Sequence, residues 1–144
     1  MSTPEATFLA QRASALRTAA EWVEDPALPV RAKRFERRRG TLFGFDQGYN
    51  PGNSACALGA AYYALHGCAT YYGTHTAIHD LVGDDARAKG ELEACYQNFD
   101  AALSPNSKIP EKRLRWCAAN LRRAAQRLER KLAQIEAAGR SKRR

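Results

Sequence analysis

The final third of the chain carries an apolar stripe in which nonpolar residues recur every three or four positions over about six helical turns. This period fits one face of an α-helix, so it predicts a long amphipathic helix whose stripe is covered by another element. Pro110 and Glu111 suit its first turn, and we predict that it ends at Gly139. The stripe consists of Leu114, Cys117, Ala118, Leu121, Ala124, Ala125, Leu128, Leu132 and Ile135.

A second long helix is predicted at the other end of the chain, over residues 4–24. Thr3 can cap its N-terminus, Pro4 is tolerated at the first helical position, and Glu5 suits the positive end of the helix dipole. Pro26 follows the last periodic residue and cannot continue a helix. Its apolar positions are Phe8, Leu9, Ala13, Leu16, Ala19, Ala20 and Val23.

The middle of the chain predicts shorter helices. The string SACALGAAYYALHG, over residues 54–67, has small side chains along most of its surface and ends in a glycine. Residues 68–83 predict a broken helix pair, with Thr74 or Thr76 as a cap and Gly83 as the stop.

Three further segments complete the prediction. A helix should start at Asp84 and run toward Leu103. The basic string at 31–39 could form a short helix if other elements support it, because only Glu36 offsets the repulsion among its cations. Residues 40–53 combine glycines, asparagines and aromatics, so we expect an ordered loop there, with one strand-like turn at most.

Together these elements predict an all-α fold. Long amphipathic first and last helices would surround the short central helices, and the aromatic and glycine loop would close one end. The length of 144 residues suits one domain, which we place at residues 1–138, with a basic flexible tail at 139–144.

The sequence also predicts the protein's environment. It has no apolar run of membrane-spanning length and no secretory signal pattern at its N-terminus, so we expect a cytoplasmic protein without a membrane partner. The four cysteines are widely separated, and we expect all of them to be free thiols: Cys56, Cys68, Cys95 and Cys117.

Charge is distributed unevenly along the chain. The formal net charge is +8, but residues 31–40 and 108–144 carry 19 of the 23 basic residues, while residues 41–107 are acidic on balance. Such separation creates a directional field that suits a polyanion or an acidic protein surface.

The basic residues predict two binding segments. On the last helix, a spacing of 100° per residue places Lys112 and five arginines on an arc opposite the leucines. In the segment 31–39, Phe35 lies among cations, where it could stack on a base or anchor the segment to the core. The predicted binding residues are Arg31, Lys33, Arg34, Arg37, Arg38, Arg39, Arg115, Arg122, Arg123, Arg127 and Arg130.

Two groups of residues could support an enzymatic alternative. His75 and His79 lie one helical turn apart, and with Cys68 they could hold a metal ion, but no residue between them supplies a supporting hydrogen bond. Cys56 begins a helix, where a thiol can be activated, but no catalytic partner is recognisable. We therefore predict no catalytic residue, no metal and no cofactor.

One resemblance rests on the strings NSACALGAAYYALHG, NFDAAL and PEKRLRWCAANLRRAAQRL. Together they resemble an uncharacterised domain family of phages and actinobacteria, in which a C-A-L-G-A helix precedes an Asn/Asp turn and an alanine-rich final helix. The matching positions are Cys56, Ala57, Leu58, Gly59 and Ala60, followed by Asp100. The resemblance implies a phage-like setting and no catalytic residues.

The sequence thus favours a small, basic, non-enzymatic protein that binds nucleic acid or a nucleic-acid-handling complex. The basic residues would equally suit an acidic protein surface. The first alternative is a protein-protein interaction module, such as a phage-type inhibitor or assembly factor. Its contact surface would be aromatic, formed by Phe43, Phe45, Tyr49, Tyr62, Tyr63, Tyr71 and Tyr72. The second alternative is a cysteine- or metal-dependent enzyme.

Overall fold

A computed structural model describes residues 3–25, 30–31, 34–36, 42–43, 56–66, 74–96 and 111–142, with side chains for 3–25, 58–66, 75–95 and 111–141. The helices within these ranges are α1 (Pro4–Glu24), α2 (Cys56–His66), α3 (Thr74–Val82), α4 (Ala86–Tyr96) and α5 (Glu111–Lys142). The strands are β1 (Val30–Arg31), β2 (Arg34–Glu36) and β3 (Leu42–Phe43). Helices dominate, and the predicted all-α class with long first and last helices is confirmed.

Helix α1 has the predicted bounds and the predicted cap. The Thr3 Oγ1 accepts a hydrogen bond from the Ala6 amide at 3.1 Å, with Pro4 in the first turn and Glu5 beside it. The cap satisfies a backbone donor that would otherwise lack a partner at the helix start. The local sequence therefore sets this end of the helix.

Helix α5 confirms the apolar stripe but corrects its predicted end. It spans 32 residues and continues through Gly139 to Lys142. A glycine ends a helix when it adopts the left-handed conformation, and among the described glycines only Gly83 does so, with φ at 67°. Residues 139–142 of the predicted tail are therefore helical.

Helix α4 corrects a second boundary. It begins at Ala86 rather than at the predicted Asp84. Asp85 caps it, because Asp85 Oδ1 accepts hydrogen bonds from the amides of Arg87 and Ala88 at 3.0 and 2.9 Å. The turn that precedes it contains Gly83, the predicted stop of α3. The predicted continuation of α4 toward Leu103 lies outside the described residues.

The basic segment contains strands rather than the short helix considered for it. β1 pairs antiparallel with β2, and β2 pairs antiparallel with β3, so Phe35 is the register partner of both Val30 and Phe43. A helix there would crowd like charges on adjacent turns, which explains why helix formation is disfavoured. Most of the predicted loop at 40–53 lies outside the described residues.

The core lies where α5 meets α1 and α4. α1 runs antiparallel to α5, since Arg17 pairs with Glu129 while Glu24 pairs with Arg122. α4 is also antiparallel to α5, with Glu91 near Arg123 and Cys95 near Cys117. Alanines pack between fully buried leucines, namely Leu16, Leu58, Leu81, Leu92, Leu121 and Leu128.

None of the described helices has the combination of length and apolar character that crossing a bilayer demands.

Candidate nucleic-acid interface

Helix α5 presents its charged face on the side away from the core. At 100° per residue, four of its cations and one aromatic side chain fall within an arc of about 60°, roughly opposite the buried Leu121 and Leu128. We call this set the outward row. Its members are Lys112, Trp116, Arg123, Arg127 and Arg130.

Trp116 is the member of the outward row that the sequence analysis missed. Its side chain is 46% exposed, and among the described residues it is the large hydrophobic side chain that stands out to solvent. The Lys112 Nζ lies 5.0 Å from the centroid of its ring, in position for a cation–π contact. Its helical phase, opposite the leucines, was the sequence signal that could have identified it.

Two of the predicted arginines lie to one side of the outward row and have glutamate partners. Arg115 contacts Glu111, one turn earlier, at 3.1 Å. Arg122 forms an ion pair with Glu24 at the end of α1. Both pairs are solvent-exposed and therefore hold their arginines weakly, but each glutamate offsets one positive charge.

Arg123 and Arg127 share a single carboxylate. Glu91 on α4 accepts a hydrogen bond from Arg123 Nε at 2.8 Å, and its other oxygen lies 3.5 Å from Arg127 Nη2. Asn120, which is 3% exposed, also accepts a hydrogen bond from Arg123. Arg127 Nε is buried and has no hydrogen-bond partner in the described part of the chain.

Arg130 differs from these arginines. It is exposed, as is the neighbouring Lys131, and no ion pair found among the described residues involves either of them. Lys131 was not among the predicted binding residues. Exposed cations without an ion-pair partner among the described residues therefore lie past Glu129, toward the C-terminal end of α5, as well as at Lys112 near its start.

The predicted residues of the first basic segment are only partly described. The backbones of Arg31 and Arg34 are register partners on β1 and β2. Lys33, Arg37, Arg38 and Arg39 lie outside the described residues. That the two basic segments form one field stays a prediction.

The histidines have other contacts. His66 Nε2 lies 2.5 Å from Asp80 Oδ2, and Arg12 donates from Nε to the Asp80 backbone carbonyl at 3.1 Å. His79 is exposed and lies 3.8 Å from Asp84. No group of three or more histidine, cysteine or acidic side chains suited to a metal ion occurs in the part of the chain that the structure describes. Cys68 falls outside it.

Two of the four cysteines are described, and both lie between α4 and α5. Cys95 and Cys117 are free and buried, and each thiol lies within 4 Å of the other residue's carbonyl oxygen, at 3.8 and 3.4 Å. The hydrogen bond with Cys117 and the burial of the site both raise the pKa of Cys95. A thiol held in its protonated form is a poor nucleophile. The Cys56 side chain lies outside the description.

Comparisons with known proteins give no further assignment. No protein-family model, curated protein or solved structure matches this chain. The resemblance to a phage and actinobacterial family therefore stays a prediction.

Proposed function

We propose that the protein is a small, non-enzymatic binding protein that contacts nucleic acid through the outward row of α5. The observation that carries the proposal is the exposed Trp116 in line with Lys112 and Arg130. An aromatic ring between cations suits a single strand, because bases stack on the ring while the cations contact the phosphates on either side.

The spacing of the row supports the proposal. Lys112 and Arg130 are 18 positions apart, which corresponds to about 27 Å of helix. Several successive phosphates fit within that length, and each neutralised phosphate releases counterions and adds affinity at low salt. The basic segment at 31–39 would extend the contact if it lies on the same side.

Binding through this row would be nearly independent of base sequence. Stacking on tryptophan accepts any base, and phosphate contacts carry little sequence information. The chain lacks the sequence motifs of zinc fingers, RNA-recognition motifs and KH domains. We therefore expect the protein to prefer single strands over duplexes and to discriminate little between base sequences.

An acidic protein surface is the second candidate partner. The ion pairs of Arg115, Arg122 and Arg123 with glutamates reduce the free positive charge of α5. Exposed tryptophan is, in addition, the residue type most typical of energetically dominant positions in protein interfaces. A partner recognised through Trp116 would show weaker salt dependence than a polyanion.

Fluorescence anisotropy with a labelled single strand and a labelled duplex of mixed sequence separates these candidates. At about 50 mM salt we expect tighter binding of the single strand, with affinity falling steeply as salt is added. Trp116→Ala should weaken single-strand binding by about tenfold, as expected for the loss of one stacked base.

The contribution of Arg130, at the C-terminal end of the outward row, can be tested with a charge-removing variant and a matched control. The salt slope is the steepness with which the logarithm of the affinity falls with the logarithm of the salt concentration. Arg130→Gln should reduce this slope by about one unit. Lys89→Gln removes the same charge from the flank of α4 opposite Glu91 and should leave the slope unchanged. If neither probe binds at low salt, the nucleic-acid proposal is wrong and an acidic protein partner becomes the leading candidate.

A further inference from the structure

We infer that Arg123 and Arg127 form a phosphate-binding site at the contact between α4 and α5, and that Glu91 occupies this site in the free protein. The inference rests on the proposed function, since it names the part of the outward row where a backbone phosphate binds most closely. It also adds an internal competitor that the proposed function does not require.

The geometry at Glu91 resembles a bound anion. Its carboxylate lies between two guanidinium groups, 2.8 Å from Arg123 Nε and 3.5 Å from Arg127 Nη2. The Glu91 side chain is only 17% exposed, so the contact is partly shielded from solvent. Arginines paired in this way provide a planar array of donors that fits carboxylate and phosphate oxygens alike.

Glu91 leaves one donor of the site unsatisfied. Among the described residues Arg127 Nε is buried without an acceptor, and a buried donor without a partner is destabilising. Glu91 contacts Arg127 through Nη2 alone, and its second oxygen is directed at Arg123. A phosphate has additional oxygens in a tetrahedral arrangement and could accept from a third donor.

Charge also favours a ligand over the resident carboxylate. Two guanidinium groups face one negative charge, which leaves an excess of one positive charge at the site. Asn120 is buried and accepts a hydrogen bond from Arg123, which fixes the orientation of that guanidinium before any ligand arrives. The arginines are thus already oriented to accept an anion.

Because Glu91 occupies the site, a phosphate must displace it before binding there. This displacement lowers the apparent affinity of the wild-type protein for phosphate, since the contacts between Glu91 and the arginines must be broken first. Glu91→Gln keeps the shape of the side chain, removes its charge and weakens its hold on both guanidinium groups. The variant should bind a labelled single strand about tenfold more tightly, and its salt slope should rise by about one to two units.

Glu93→Gln provides a matched control. Glu93 is exposed on the same helix, two residues from Glu91, and no ion pair found among the described residues involves it. Both variants change the net charge by the same amount, so long-range electrostatics affect them equally. Only the variant at Glu91 releases Arg123 and Arg127. The double variant Glu91→Gln with Arg123→Gln should lose most of the gain.

Inorganic phosphate tests the site without nucleic acid. Added phosphate should raise the melting temperature of Glu91→Gln more than that of Glu93→Gln, since a ligand stabilises the state that binds it. If Glu91→Gln folds poorly, Glu91→Asp withdraws the carboxylate by one methylene and should give a smaller gain in strand affinity in the same direction.

The outcomes separate the two proposals. If the wild type binds the strand but Glu91→Gln and Glu93→Gln bind equally and respond equally to phosphate, the inferred site is wrong and the proposed function stands. If phosphate selectively stabilises Glu91→Gln while no variant binds a strand, the site stands and the nucleic-acid function is wrong. A selective gain in both measurements supports both proposals.

Discussion

The contact between α1 and α5 and the contact between α4 and α5 use charge in opposite ways. In the first, Arg17 donates two hydrogen bonds to Glu129 at 2.7 and 2.5 Å, so each charge has one partner of opposite sign. In the second, two arginines share Glu91, and one buried donor has no acceptor among the described residues. A balanced pair has no charge left over for a ligand, whereas an excess of positive charge does. This contrast is why the proposed phosphate site lies on the α4 side of α5.

The largest expected effect concerns the core that both contacts share. Leu121→Ala and Leu128→Ala should each destabilise the protein by about 2–4 kcal/mol, because both side chains are fully buried and truncation leaves a cavity. Leu132→Ala is the control, since Leu132 is only partly buried and should cost clearly less. Chemical denaturation measures the three differences. Equal losses for all three variants would contradict the assigned packing of α5.

The second prediction concerns the thiols between α4 and α5. Burial and the hydrogen bond with Cys117 raise the pKa of Cys95, so its thiolate is scarce at neutral pH. Cys95 and Cys117 should react with iodoacetamide at least about tenfold more slowly in the native protein than in denaturant. In the native protein the helices must first move apart to expose the thiols, whereas in denaturant the thiols are already exposed. Mass spectrometry of labelled peptides gives both rates. Fast native labelling would show that the α4–α5 contact opens readily.

The third prediction concerns the glycines within α4 and α5, outside both interhelix contacts. Gly90 in α4 and Gly139 in α5 have open space where a Cβ would lie. Alanine at either position should stabilise the protein by about 0.5–1 kcal/mol through helix propensity. Gly83→Ala is the opposing control, because Gly83 has a φ of 67° and Phe8 lies 3.4 Å from the Cβ position. Stabilisation by Gly83→Ala would contradict the turn that precedes α4.

Some parts of the fold could be predicted from the sequence and others could not. The bounds of α1 followed from Thr3 and Pro4, and the face of α5 followed from its leucines, because both signals lie in neighbouring residues. The end of α5 was misplaced because a glycine permits a left-handed turn without requiring one. Local sequence therefore determined the helices better than their ends.

The candidate site was harder to predict for a different reason. The arginines of α5 were recognised, but Glu91 lies 32 residues before Arg123 in sequence. Only the packing of α4 against α5 brings them together, so sequence spacing could not show which arginines are already paired. Trp116 was not predicted, because a large apolar side chain is ordinarily expected in the core. Its position on the helix, opposite the leucines, nevertheless indicates exposure.

The smallest expected effect belongs to the Arg17–Glu129 pair. Both side chains are more than one-third exposed, so solvent screening limits their coupling to about 1 kcal/mol or less. A double-mutant cycle with Arg17→Met and Glu129→Gln measures it, and the coupling should shrink at high salt. Coupling that does not change with salt would contradict an exposed pair.

The same pair predicts a pH dependence. The hydrogen bond from Arg17 lowers the pKa of Glu129. The ionised Glu129 therefore contributes its full share to stability at any pH above the ordinary glutamate pKa. The contribution is lost as the pH falls through the lowered folded-state value. Arg17→Met should therefore make the stability less sensitive to acid in that range, as measured by denaturation at several pH values. An unchanged acid profile would contradict the pairing.

The most direct test of binding by the outward row uses Trp116 itself as the reporter. The chain has two tryptophans, and Trp22→Phe leaves Trp116 as the sole tryptophan emitter. Titration of this variant with an unlabelled single strand at low salt should quench the emission, and added salt should restore it as the strand dissociates. Binding detected by anisotropy with no change in Trp116 emission would contradict the claim that nucleic acid contacts the outward row of α5.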